Sequence, residues 1–201
     1  MFSRKLTALL VLFFMAAFPA IAQNAASANS DKLYEVELYL LAELPEDGKR
    51  PELPSALSGV ASSIRQKYGK NRIGVVDRYF TVIAHGGTYD HRSILRIGNH
   101  GSSPRRGFAE IRFGSVGETA AADGRGALAM RSFRFVARLP VRVPIARSDD
   151  KPPIDTFVNE SVYTSIDRLV FAENTPTIVS TLNTSDSDTL FLVMSMRRIS
   201  K

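Results

Sequence analysis

Arginine is the residue type in this sequence whose spacing points most clearly to chemistry. From Arg92 to Arg147 there are 11 arginines and no lysines, against three acidic residues. Arg134, Arg138 and Arg142 fall on one side of a run whose other side is apolar. A guanidinium group binds carboxylate or phosphate through two parallel hydrogen bonds. The spacing therefore predicts a stripe of arginines that contacts an anionic partner. Alternatively, these arginines only form the solvated face of a sheet.

Histidine supplies the second candidate for chemistry. His85 and His91 bracket the turn sequence HGGTYDH, and Asp90 precedes the second histidine. If this turn closes a hairpin, the imidazoles face each other and Asp90 adds an oxygen ligand, a set that suits zinc or a similar ion. A small exported metal-dependent hydrolase is therefore the alternative function. The spacing matches no established metal motif, so we expect no metal and no other cofactor.

The composition removes several other classes of chemistry. Cysteine is absent from the chain, which excludes thiol nucleophiles, thiolate zinc sites, disulfides and a lipid-modified cysteine. No glycine-rich segment has the lysine and the strand-to-helix context of a nucleotide-binding loop. We therefore expect a protein that is not an enzyme.

The first 22 residues have the pattern of a secretory signal peptide. Arg4 and Lys5 precede an apolar stretch, and small residues stand at Ala20 and Ala22. Cleavage after Ala22 would leave 24 basic and 20 acidic residues, a net charge of +4 obtained by removing two bases from the full chain. We expect a periplasmic or secreted protein with no transmembrane helix after cleavage.

The elements that position these residues begin after a polar lead-in at residues 23–32, whose composition predicts flexibility. Alternation from Tyr34 to Leu40 predicts a strand. Helical spacing in SALSGVASSIRQKYG, with Gly69 as the C-terminal cap, predicts a helix. Two segments rich in β-branched residues follow on either side of HGGTYDH. Residues 33–98 therefore form a predicted strand, helix, strand, strand unit.

Residues 99–201 are predicted to be rich in antiparallel strands, either as a second unit or continuous with the first. The run from Phe133 to Ile145 alternates over its whole length, and Pro140 and Pro144 place its later part at an edge or a bulge. Its apolar face is either core or the lining of a site for a small hydrophobic ligand. The predicted fold class is α+β, with one main helix packed on an antiparallel sheet, followed by the β-rich part.

The closing segment, VFAENTPTIVSTLNTSDSDTLFLVMSMRRI, resembles the end of the secretin C-terminal module. The strand, helix, strand, strand unit is similar to the small periplasmic N-domains that precede that module. Val179 is followed by Ser180 and Thr181, where secretins usually carry two glycines. The resemblance implies a small stand-alone relative linked to secretion or pilus-assembly machinery, with no catalytic residues to transfer.

The leading functional prediction is an exported, non-enzymatic interaction protein of the cell envelope. Its expected partner is an envelope protein, an anionic envelope polymer or lipid head groups. Nucleic acid is not expected, because the cationic face of this run carries no aromatic residue between its arginines and because the chain is predicted to be exported. The sequence does not specify the oligomeric state.

Overall fold

A computed structural model describes residues 32–44, 53–97, 105–121, 126–145, 154–185 and 189–199. The predicted signal peptide (1–22) and the lead-in as far as residue 31 lie outside the described residues. The elements are β1 (Leu33–Glu43), a 3₁₀ turn (Ser55–Leu57), α1 (Ser58–Tyr68), β2 (Ile73–Ala84), β3 (Thr88–Ile97), β4 (Arg105–Ala120), β5 (Gly126–Ile145), β6 (Ile154–Phe171), β7 (Thr177–Asn183) and β8 (Thr189–Ile199).

The strands form two antiparallel four-stranded sheets. Sheet A has the strand order β2-β1-β8-β7, and sheet B has the order β3-β4-β5-β6. The first and last strands of the chain therefore lie side by side in sheet A, where β1 pairs with β8 from Leu33 opposite Ile199 to Ala42 opposite Leu190. All four strands of sheet B follow one another in sequence and are joined to their neighbours as antiparallel pairs.

The predicted α+β class is wrong. About three quarters of the described residues lie in strands, and the helical part has only 14 residues. The strands of the second half are long, since β4 has 16 residues, β5 has 20 and β6 has 18. Small residues carry a weak strand signal, yet residues 117–120 of β4 pair with residues 126–129 of β5.

One core lies between the two sheets. It takes buried side chains from all eight strands, including Tyr34, Phe133, Phe135, Phe171 and Leu192. On β1 the burial alternates at first and then becomes continuous from Leu38 to Ala42. A polar contact also joins the sheets, because the Tyr79 hydroxyl on β2 lies 3.0 Å from the Ser93 hydroxyl on β3. The two sheets therefore pack as a sandwich.

The helix covers part of the outer face of sheet A. Leu57, Val60 and Ile64 form a second core with sheet residues that include Leu41 and Phe191. Gly69 ends α1 in the left-handed conformation (φ 66°), and its N–H donates to the Arg65 carbonyl at 3.0 Å, as the sequence predicts. This helix belongs to sheet A, and the face of sheet B that points away from the core contacts no described helix.

Candidate functional site

Strand β5 carries the predicted arginine stripe at the middle of sheet B. Phe133, Phe135 and Ala137 are fully buried, whereas Arg134 and Arg138 are exposed between them. The predicted alternation of an apolar and a cationic face is therefore present over this stretch. Arg142 belongs to β5, but its side chain lies outside the described residues.

The outer face of sheet B places aromatic residues beside these arginines. Phe108 on β4 stands opposite Arg138, and Tyr163 on β6 stands opposite Val136. The two aromatic residues are 61% and 71% exposed, respectively. On β5 itself the aromatic residues Phe133 and Phe135 lie on the buried side, so the pattern of this strand contains no signal for aromatic residues beside the arginines. The aromatic rings come from neighbouring strands, which only the strand pairing brings together.

The ion pairs of this face satisfy some of its arginines. Arg92 lies 3.3 Å from the Glu110 carboxylate, and Arg112 lies 3.0 Å from the carboxylates of both Asp90 and Glu110. The two contacts of Arg112 are ion pairs without hydrogen-bond alignment. Arg134 stands directly opposite Arg112 in the ladder.

Two arginines of the stripe lack an acidic partner. In the part of the chain that the structure describes, neither Arg134 nor Arg138 forms an ion pair. Arg112, which stands opposite Arg134, is already balanced by Asp90 and Glu110. The positive charge of this part of the face therefore comes from Arg134 and Arg138, whose guanidinium groups are available to an anion.

A shallow open groove follows the unpaired arginines. Its volume is about 460 Å³, and we name it the Phe108 groove. Its lining combines charged and apolar side chains, and Glu110 stands opposite Val136 in the strand pairing. The lining residues are Arg92, Phe108, Ala109, Glu110, Arg134, Val136 and Arg138. Chemically, such a groove offers two free guanidinium forks and one exposed aromatic ring to a ligand.

The alternation of buried and exposed residues on β5 shifts by one position near Ser132. This shift exposes Arg131, which the sequence analysis did not include in the stripe. Leu128 and Met130 are buried before Ser132, and Phe133 is buried after it, so the inward positions shift by one residue. Ser132 has a positive φ of 54°. This shift leaves both Arg131 and Arg134 exposed. The sequence signal that could have indicated it is the interruption of alternation at Arg131–Ser132.

The predicted histidine hairpin is wrong. Strand β2 pairs with β1 in sheet A, and β3 pairs with β4 in sheet B, so the turn after His85 crosses between sheets. His91 packs against Tyr79 and Tyr89, with ring centroids 5.7 and 5.9 Å away. Asp90 pairs with Arg112. The alternation of apolar and polar residues shows which face of a strand is buried, but it does not show which strand pairs with it. The sequence therefore could not show that this turn joins two different sheets.

His85, Asp90 and His91 therefore do not face one another as the metal alternative requires. Within the described ranges, no group of three or more histidine, aspartate or glutamate residues is arranged to hold a metal ion. His85 instead lies near Tyr34, whose hydroxyl is 3.2 Å from its Nδ1.

The apolar side of the β5 run belongs to the sandwich core. Phe133, Phe135, Ala137 and Leu139 pack there with residues of both sheets. The later residues differ, since Ile145 is 52% exposed. From Leu139 onward β5 pairs with β6 and with no other described strand, in keeping with the edge position that Pro140 and Pro144 predict. The structure thus uses this face as core.

Comparison with known proteins gives no family for this chain. No protein-family model matches the sequence, and no curated protein matches it. Among the residues that the structure describes, no helix has the length and hydropathy needed to cross a membrane.

Proposed function

We propose that this protein is an exported, non-enzymatic binding protein of the cell envelope that holds an anionic polysaccharide on the outer face of sheet B. The observation that carries the proposal is the pair Arg134 and Arg138. Both are exposed on an inner strand of the sheet, beside Arg112 and Phe108, and neither has an acidic partner among the described residues.

The arrangement along the strand favours an extended polymer. Arg131, Arg134 and Arg138 are successive exposed arginines of β5 and span about 20 Å at the rise of a strand. The Phe108 groove runs beside the last two. A chain of acidic units can contact several guanidinium groups in sequence, each through the same bidentate geometry.

The aromatic residues favour sugar units as the repeating element. The rings of Phe108 and Tyr163 are mostly exposed, which costs free energy in water unless a ligand covers them. The C–H faces of a sugar ring can pack on such rings, while uronic acid carboxylates reach the arginines. A polyuronate combines both kinds of contact in each unit.

Export and the absence of enzymatic activity remain predictions from the sequence, and the proposal depends on the first of them. The similarity to secretin modules also remains a prediction. If it reflects function, the bound polymer is part of the envelope layer in which secretion or pilus-assembly machinery is anchored.

The direct test is binding of a fluorescently labelled oligogalacturonate to the purified protein. We expect saturable binding that weakens as salt is added, because the contacts are between opposite charges. Arg134→Glu with Arg138→Glu should raise the Kd at least about tenfold, equivalent to about 1.4 kcal/mol. An unlabelled neutral dextran of the same length should not compete.

The matched control is Arg65→Glu with Lys67→Glu. Both residues are exposed on α1, which packs on sheet A, and the double change alters the net charge by the same amount. This control should keep the wild-type Kd. Equal weakening in the two double variants, or equal binding of dextran, would refute the proposal. Tighter binding of single-stranded DNA, of anionic lipid vesicles or of an acidic peptide would assign the face to that partner instead.

A further inference from the structure

A second groove lies where the β2–β3 turn meets β4. Gly86 donates its N–H to the Val116 carbonyl at 2.8 Å, and Ser115 donates to the Gly87 carbonyl at 2.9 Å. The ladder between β4 and β5 is irregular here, and Ser115 has a positive φ of 53°. Such bulges often re-aim side chains next to a functional site. We name this space of about 370 Å³ the His85 groove.

Two arginines form one wall of the His85 groove. Arg131 on β5 and Arg168 on β6 stand directly opposite each other, and both line the groove. An Nη2 of Arg168 donates to the Thr119 hydroxyl on β4 at 2.9 Å, so its guanidinium reaches across β5. In the described chain neither arginine has an acidic partner. This opposed arginine pair is unfavourable without an anion.

His85 supplies a third donor. Burial raises the pKa of Tyr34, and the Glu118 carboxylate raises it further, so Tyr34 remains a hydroxyl at neutral pH. The Tyr34 hydroxyl lies 3.2 Å from Nδ1 of His85. In the tautomer in which the hydroxyl donates to Nδ1, Nε2 carries the ring proton and can donate to a ligand. The ring is confined on its other side, because a Cβ on Gly117 would lie 2.8 Å from the His85 Cε1.

Glu118 also lines the groove, but its charge is already balanced. Its carboxylate lies 3.0 Å from the Lys32 ammonium and 3.6 Å from the Arg198 guanidinium. The hydrogen bond from Lys32 and the two positive charges lower the pKa of Glu118 below its ordinary value. The groove therefore keeps a positive balance from Arg131 and Arg168.

We propose that the His85 groove binds a single phosphoryl group, with Arg131 and Arg168 on its oxygens and His85 donating from Nε2. The groove volume of about 370 Å³ is large enough for such a group, and Ala129 contributes only a methyl group to its lining. This site shares Arg131 with the proposed polysaccharide surface but includes neither Arg134 nor Arg138, and it does not depend on polysaccharide binding. A phosphate dianion matches two guanidinium groups in charge and offers an oxygen for each donor.

The test is calorimetric titration of the purified protein with inorganic phosphate at low salt, with sodium chloride as the control for ionic strength. We expect saturable one-site binding and a shift of the His85 ring nitrogen resonances on titration. Arg131→Gln with Arg168→Gln should weaken phosphate binding at least tenfold. Removal of two opposed charges should leave the thermal midpoint equal to or above that of the wild type, which shows that the variant folds.

A matched pair separates the two grooves. Arg134→Gln with Arg138→Gln should keep the phosphate Kd, whereas it should weaken oligogalacturonate binding. The Kd values of glycerol phosphate and of a sugar phosphate are then compared. Tighter binding of glycerol phosphate indicates a lipid head group as the source of the phosphoryl group, and tighter binding of the sugar phosphate indicates a phosphorylated sugar. Absence of saturable phosphate binding, an unshifted His85 resonance, or equal weakening by both double variants would overturn the proposal.

Discussion

Arg134 and Arg138 are both exposed, and neither contacts an acidic group among the described residues. Arginines of the same face that have partners behave differently: Arg92 and Arg112 are held by Glu110 and Asp90. A paired guanidinium must break an ion pair to bind a ligand, whereas an unpaired one loses only water. The unpaired arginines should therefore contribute most of the affinity for an anion.

Gly117 gives a prediction at the scale of single residues. Gly117→Ala places a methyl group 2.8 Å from the His85 Cε1, so the ring must leave its contact with Tyr34. We expect a loss of about 0.5–1.5 kcal/mol in the free energy of unfolding, measured by urea denaturation, because the clash is with the outer end of a side chain that can rotate away. Phosphate binding should weaken in the same variant.

Gly126→Ala is the control for that substitution. Gly126 also lies on a strand, and a Cβ there meets nothing within 4 Å. Its unfolding free energy should change by less than about 0.5 kcal/mol. A Gly117→Ala variant as stable as Gly126→Ala would show that the His85 ring is not confined as described.

At the scale of elements, the sequence predicted the order of strands and the helix but not the strand partners. The alternation from Tyr34 to Leu40 and the cap at Gly69 are local features, and both appear as expected. The pairing of β1 with β8 joins segments more than 150 residues apart, as the contact of Glu35 with Arg197 illustrates. A period of two carries no information about such a partner.

The same limit applies to the candidate site. Arg134 and Arg138 were predicted from the sequence as site residues because they alternate with apolar residues within the single strand β5. Phe108, Tyr163 and Arg168 were not, because each reaches the face from another strand. Arg131 was missed for a different reason, since the positive φ at Ser132 shifts the alternation by one residue.

The turn between β6 and β7 gives a prediction about how elements are held together. Glu173 accepts hydrogen bonds from the backbone N–H and the guanidinium of Arg198 on β8, at 2.8–3.1 Å. These bonds lower the pKa of Glu173 in the folded protein. Its contribution to stability is therefore complete above its unfolded pKa, near 4.3, and is lost as the pH falls through the lower folded value.

Glu173→Gln removes this contribution, so we expect the variant to be less stable at pH 7 by less than about 1 kcal/mol, since the pair is exposed to solvent. The difference from the wild type should shrink as the pH falls from about 5 toward 3. Urea unfolding curves across that range measure it. A difference that stays constant or grows toward low pH would contradict the assigned role of Glu173.

At the scale of the whole molecule, the two outer faces of the sandwich are unequal. The outer face of sheet A carries the helix over Leu41 and Phe191. Beyond the helix its charges are paired, with Glu35 bound to Arg197 and Glu37 to Arg78. Both outer faces carry exposed aromatic rings, Phe80 on sheet A and Phe108 and Tyr163 on sheet B. Among the described residues, sheet B adds arginines without acidic partners, Arg134 and Arg138. The fold thus leaves sheet B as the face with the larger capacity to bind an anionic partner.

The most direct measurement is nuclear magnetic resonance of the isotopically labelled protein during titration with oligogalacturonate. We expect the amide resonances of Phe108, Arg134, Val136 and Arg138 to shift progressively as ligand is added, while those of α1 do not move. Added salt should reverse the shifts. Shifts confined to α1 or to the outer face of sheet A, or no shifts at saturating ligand, would contradict the assignment of sheet B as the binding face.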